Sequence, residues 1–227
     1  MPLITNPTLP ENLDREITSL GIYFALDTHQ ESSAADPPWR SLAVLLDGSD
    51  ALRSFYEQFR ATLGRATGRP VEFRVAASTG HLALVARLIC PAFGAELLGH
   101  HLDLTQARWQ PVTEGVMPLS LPTGAIGVAG DISALLTGPI RTLTELTAGM
   151  SVSSKVLWGN VSSAVNGAVM GACRARPDLA ARSMALGRSL GTAPGPDFRR
   201  TSCCLIYRIA PPGDSAIFCG DCVLERG

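Results

Sequence analysis

Four of the six cysteines stand close together near the C-terminal end, as Cys203-Cys204 and, after 14 intervening residues, Cys219-Gly220-Asp221-Cys222. Thiolates are soft donors, and four of them supply the two irons of a [2Fe–2S] cluster with two ligands each. The Cys-x-x-Cys half lets two sulfurs converge on one metal and serves zinc as readily as iron. The adjacent pair is more selective. An extended backbone sends neighbouring side chains to opposite faces, so Cys203 and Cys204 both reach a metal only if the chain turns there. A two-iron core relaxes that demand because it offers more than one place to bind, whereas zinc knuckles keep roughly two to four residues between their cysteines. The pattern therefore favours an iron–sulfur site and a redox protein, with a structural four-cysteine zinc module as the alternative. A disulfide between the neighbours would be strained.

Residues around the cysteines fit the same chemistry. Arg199, Arg200 and Arg208 flank the pair. An all-thiolate core is anionic and gains a further negative charge on reduction, so nearby guanidinium groups and backbone N–H donors raise its potential. Exposure of one or more of the three to solvent is the competing reading. Cys90 and Cys173 sit in apolar helical context, where free cysteine behaves as a small hydrophobe, and are left out of the ligand set. His100-His101 either binds a ligand or caps a helix end. Trp39, Trp109 and Trp158 line a pocket or fill the core.

A protein taking electrons directly from a nicotinamide nucleotide needs a nucleotide site. The run Gly124-Ala125-Ile126-Gly127-Val128-Ala129-Gly130 has the wrong spacing for the dinucleotide fingerprint, and no P-loop lysine is present. It reads as a flexible loop feeding the next helix, and the electrons then come from a separate donor.

The 227 residues carry a formal net charge of −1 with both signs interspersed. No field of one sign recommends nucleic acid or an anionic membrane as partner. The N-terminal residues have neither a basic nor an apolar region of a secretion signal. His81 to Leu98, the most apolar stretch, is interrupted by Arg87 and Pro91, which argues against a membrane span. These features lead to an expected cytoplasmic location, where free thiolates persist.

The elements that must position the cysteines follow from periodicity. Leu13, Ile17, Leu20 and Phe24 predict a helix over 13–25. Leu52, Phe55, Phe59 and Leu63 predict another over 49–63, capped by Ser49 or Asp50 and ended by Gly64 and Gly68. Val75 to Leu98 reads as two helices broken at Pro91. Weak alternation in 107–110 and 116–121 predicts a hairpin or two short strands. Asp131 caps a helix to Ala148, kinked or broken at Gly138-Pro139; a further helix spans 151–175, and Pro177 opens the last. Thr192-Ala193-Pro194-Gly195-Pro196 reads as a linker. The expected fold is α+β: a mainly α-helical body over 1–196 with a small β-hairpin or sheet, and a C-terminal [2Fe–2S]-binding segment over 197–227.

The run Phe198-Arg199-Arg200-Thr201-Ser202-Cys203-Cys204-Leu205-Ile206-Tyr207-Arg208, closed by Cys219-Gly220-Asp221-Cys222-Val223-Leu224, closely resembles the C-terminal signature of the FhuF-like ferric-siderophore reductases. Arg74-Val75-Ala76-Ala77-Ser78 with Ala86-Arg87-Leu88, and Lys155-Val156-Leu157-Trp158-Gly159-Asn160, resemble its internal motifs in order, so the likeness covers about the last two-thirds of the chain. The 14 residues between the cysteine pairs exceed the family's usual gap, and Ala210-Pro211-Pro212-Gly213-Asp214 fit a longer loop there, where insertion costs little. The resemblance implies Cys203, Cys204, Cys219 and Cys222 as ligands of a [2Fe–2S] cluster, and one-electron reduction of a ferric siderophore, of hydroxamate type, to release Fe(II). It further implies a ferredoxin or flavin-dependent reductase as donor, an inner-membrane siderophore importer as neighbour, and Trp158 and Asn160 as substrate-pocket residues. An electron carrier or redox sensor without a siderophore substrate is the competing function.

Overall fold

The computed structural model describes residues 12–30, 36–112, 115–127, 130–210 and 218–224. Two long helices form its centre: α3 (Phe73–Leu97) and α6 (Ser154–Ala175). Nearly all of α3 is buried, including Val85, Leu88, Ile89 and Phe93, and it packs along the Leu157, Val161, Ala164, Ala168 stripe of α6. The two helices run in the same direction. Ser78 of α3 meets Asn160 of α6 at one end, and a Cβ at Gly94 or Gly171 would lie 3.1 Å from the Phe24 ring at the other. Small residues thus let the N-terminal segment close over both helices.

That segment comprises α1 (Leu13–Thr18) and a 3-10 turn (Ile22–Phe24), a division of the single helix expected over 13–25. Gly21, with φ of 141°, makes the break. Helix α2 (Ala51–Thr67) outruns its expected end; Gly64 stays within it, and Gly68, at φ 67°, forms the left-handed stop.

Pro91 does not break α3, which is continuous through 25 residues. A proline there removes one backbone hydrogen bond, and the burial of most of the helix holds it nonetheless. By length and hydropathy α3 could cross a membrane, but 83% of its apolar window is buried inside the protein. Arg87, in its middle, is satisfied by backbone carbonyls: Nε donates to Met117 O at 2.6 Å, Nη1 to Tyr23 O at 2.9 Å and Nη2 to Ala25 O.

The β structure is small. Strands β1 (Asp27–His29), β2 (Arg40–Ser41), β4 (Arg108–Trp109) and β5 (Leu119–Pro122) make one mixed sheet in the order β1-β5-β4-β2. The pairing of β4 with β5, Trp109 opposite Leu119, is the expected antiparallel pair; β1 lies parallel to β5. A second sheet pairs β3 (His101–Leu102) with β6 (Ile126–Gly127). Trp109 is core, its Nε1 donating to Ser41 O at 3.2 Å. Trp39 is half-buried.

Asp131 caps the following helix as expected, accepting from Ser133 N at 2.8 Å. Gly138 and Pro139 are absorbed in a π turn (Leu136–Ile140) between α4 (Ser133–Leu135) and α5 (Arg141–Ala148). Helix α7 (Ala180–Ser189) closes the body. Residues 192–196 form no regular element, yet they are tied down. Gly195 N donates to Asn166 Oδ1 at 3.0 Å, and Pro194 lies against Gly187, where a Cβ would come within 2.9 Å of its Cγ.

Candidate metal centre

The chain turns immediately after the adjacent cysteines. Leu205 takes the left-handed conformation at φ 71° and a 3-10 turn follows (Ile206–Ile209). The turn brings Leu205 N back to Cys203 Sγ at 3.3 Å and the backbone of Ile206 to Cys204. The second half repeats the arrangement: Cys222 N donates to Cys219 O at 3.1 Å, and Leu224 N to Cys222 Sγ at 3.3 Å. Backbone N–H groups aimed at sulfur stabilise thiolate charge, so the donor set suits sulfurs that are ionised and metal-bound.

The two halves meet through Cys204 and Cys219, whose thiols influence each other's ionisation. The neighbouring Cys219 thiol, the Ile206 backbone and Arg200 draw the Cys204 thiol down, whereas Cys204 and burial push Cys219 upward. Cys204 and Cys222 are buried, while Cys203 and Cys219 are half-buried. Among the described residues no group of three or more His, Cys, Asp or Glu gathers as ligands of a single ion.

Contacts from α3 and α6 hold the segment in place. Ser78 Oγ donates to Cys204 O at 2.8 Å, and Ser202 Oγ to Lys155 O at 2.9 Å. Gly159 permits the second of these: a Cβ there would collide with Ser202 Oγ. Leu205 and Ile209 pack on Val71, Val75 and Ala76 at the start of α3, and Arg69 Nη1 donates to Ala210 O at 2.9 Å.

The three flanking arginines differ. Arg208 is held by Glu72 at 2.8 Å, and Arg199 is exposed, with Nη1 on Phe198 O. Arg200 alone of the three turns inward, 2% exposed. Its Nη1 lies 3.9 Å from Cys219 Sγ, its Nη2 donates to Asn160 Oδ1, and its buried Nε has no partner among the described residues. Asp221 Oδ2, beside Cys219, is likewise buried and without one. Unpartnered buried polar atoms on both sides of Cys219 fit a site built around a group that brings its own charge.

Asn160 and Trp158, both expected at a substrate pocket, separate. Trp158 is 39% exposed, but Asn160 is fully buried and out of a ligand's reach. Asn160 Nδ2 donates to Ser78 O at 2.9 Å and lies 3.5 Å from His81 Nδ1. His81 Nε2 lies 3.2 Å from Thr144 Oγ1, and burial pushes the imidazole down to about 3, so it is neutral near pH 7. Ser78 closes the motif at 74–78 without a role of its own being legible, and His81 does not stand out in its apolar helical run; the weak signal is polarity on a face that must be buried.

The remaining candidates lie elsewhere. Cys90 is buried, its thiol pushed up to about 12 by burial, and Cys173 donates to Ala180 O at 3.8 Å. His100 and His101 follow the C-terminal end of α3. A groove of about 790 Å3 runs between α3 and α6, lined by Thr79, Ala83, Cys90, Gly167 and Arg174 and reaching Ile206.

Residues 200–224 match the FhuF 2Fe-2S C-terminal domain family. The match spans all four clustered cysteines, Arg200 and Arg208, and is consistent with the FhuF-like family that the sequence resembles. The cofactor is a [2Fe–2S] cluster, and the zinc alternative gives way to it. No curated protein and no solved structure matches the chain.

Proposed function

We propose that this chain, with its FhuF-type 2Fe-2S domain, is a ferric-siderophore reductase. The observation that carries this reading is the domain match over the four cysteines, two of which, Cys203 and Cys219, are only half-buried and leave a short path to an external acceptor. When bound, the cluster supplies a one-electron carrier. Cys203, Cys204, Cys219 and Cys222 hold it, and the backbone N–H groups of Leu205, Ile206 and Leu224 support the sulfur charge. Leu205 and Ile209, packed on Val71, Val75 and Ala76, anchor the cysteine turn to the start of α3.

The substrate is an Fe(III) siderophore of hydroxamate type. Hydroxamate oxygens are hard ligands suited to Fe(III), so gain of one electron, giving Fe(II), weakens the complex and iron leaves. One electron enters from a donor, a ferredoxin or flavin-dependent reductase, and one leaves to the chelate; no acid, base or nucleophile of the chain is required. The groove ending at Ile206 places apolar surface next to the cysteine turn and is the part of the body best placed to receive the organic portion of a chelate. We place the reaction in the cytoplasm, close to an inner-membrane importer.

The test is a stopped-flow titration of dithionite-reduced protein with ferrioxamine, ferrichrome and a ferric catecholate complex, in the presence of an Fe(II) trap. Hydroxamate complexes reoxidise the chromophore at one Fe(II) per chain. Failure of every complex to do so overturns the reductase and leaves an electron carrier or redox sensor.

A further inference from the structure

Arg200 is a buried cation whose guanidinium makes no ion pair among the described residues. Among the described residues no carboxylate pairs with its guanidinium, although Arg60, Arg74, Arg176 and Arg208 all have carboxylate partners. Its contacts are a neutral amide, Asn160 Oδ1, and a sulfur, Cys219 Sγ. An uncompensated buried charge is costly, and removing its partner from such a pair is strongly destabilising. Asp221, whose carbonyl accepts from Arg200 N at 3.2 Å, keeps its Oδ2 unpartnered and makes no ion pair with the guanidinium, which instead faces Cys219, where an anionic cluster would balance it.

The surroundings of Arg200 orient it without neutralising it. Asn160 is itself fixed, donating to Ser78 O at 2.9 Å, and Ser78 donates to the carbonyl of Cys204 at 2.8 Å. The arginine and the ligand segment are thus gripped by one set of neutral side chains on α3 and α6. Arg199 and Arg208 cannot substitute, the first being exposed and the second paired with Glu72.

We propose that Arg200 is the fixed countercharge of the [2Fe–2S] cluster and that Asn160 is a positioning residue that aims it at Cys219, the pair setting the reduction potential. The inference rests on the cluster and is independent of the substrate. A fixed positive charge favours the more negative, reduced state, and it does so most strongly where water is excluded.

The test is a redox titration of anaerobically purified native protein and of Arg200→Met, Arg200→Lys and Asn160→Asp, with iron and sulfide measured in each and no siderophore present. Arg200→Met lowers the reduction equilibrium constant about tenfold, which for one electron is about 59 mV. Arg200→Lys, restoring the charge alone, recovers at least half of that shift. Asn160→Asp, which keeps the arginine but sets a carboxylate against it, falls as far as Arg200→Met. Equal potentials for the Met and Lys variants overturn the inference, as does an unshifted Asn160→Asp. If Arg200→Met retains no cluster, the Asn160→Asp potential decides alone. Native protein with zinc and no sulfide overturns the cluster assignment and this inference together, whereas a normal cluster that no ferric chelate reoxidises removes only the reductase.

Discussion

Two arginines, Arg87 and Arg200, are buried to the same degree, each 2% exposed, and they do opposite things. Arg87 donates to three backbone carbonyls from two separate segments, at Tyr23 and Ala25 in one and Met117 in the other. Its charge is diffused over dipoles that need donors, and it clamps the N-terminal turn and the sheet margin to the middle of α3. Arg200 touches one carbonyl oxygen, that of the Asn160 side chain, faces a sulfur, and keeps an unpartnered Nε. Burial alone therefore does not identify a functional cation; the chemistry of its acceptors does.

Removing sulfur ligands is the most severe way to act on the Arg200 side. Cys204→Ser or Cys222→Ser abolishes the visible absorption and the acid-labile sulfide, because each takes a thiolate from a core that needs four. Cys90→Ser and Cys173→Ser, outside the site, leave both at one cluster per chain. An intact spectrum in either ligand variant would contradict the ligand set.

The comparison itself is tested by Arg87→Met. Three carbonyls lose their donor, and at about 1 kcal/mol each the cost in urea unfolding is about 3 kcal/mol. The potential of whatever folded protein remains is unchanged. A shift of potential in Arg87→Met comparable to that in Arg200→Met would erase the distinction between the two arginines.

A smaller effect concerns His81. Burial holds its pKa at about 3, below the ordinary 6.5, so the unfolded chain takes up a proton that the folded one refuses. Its contribution to stability is complete above 6.5 and is lost as pH falls toward 3, amounting to about 2 kcal/mol between pH 7 and pH 5. Denaturation of apoprotein at the two pH values measures it, and His81→Gln flattens that part of the profile. A slope unaltered by the substitution would show that other groups carry the acid sensitivity.

Much of this was legible in the residues. The ligand sulfurs are marked by type and spacing, the amphipathic α2 by its stripe, and the β4–β5 pair by alternation between turn residues. What escaped is what depends on neighbours. Pro91 reads as a break, yet lies buried within a helix that is buried along most of its length, where packing outweighs one lost hydrogen bond. Strands of two or three residues, such as Arg40–Ser41 and His101–Leu102, are too short to show a period and exist through their partners. Asn160 sits in a recognisable motif, but only the α3–α6 packing turns it from a surface candidate into a buried one. Arg199, Arg200 and Arg208 look equivalent in sequence because nothing local tells which of them the chain will turn inward.

The glycine at 159 has a consequence for assembly. It admits Ser202 against the backbone of α6 and so seats the cysteine segment on the body. Seating and cluster uptake are then thermodynamically linked: a segment docked on α3 and α6 presents its sulfurs at lower ordering cost, and a bound cluster in turn holds the segment down. Retention of the cluster is in this sense coupled to a helix–loop contact made by Ser202, the residue next to Cys203.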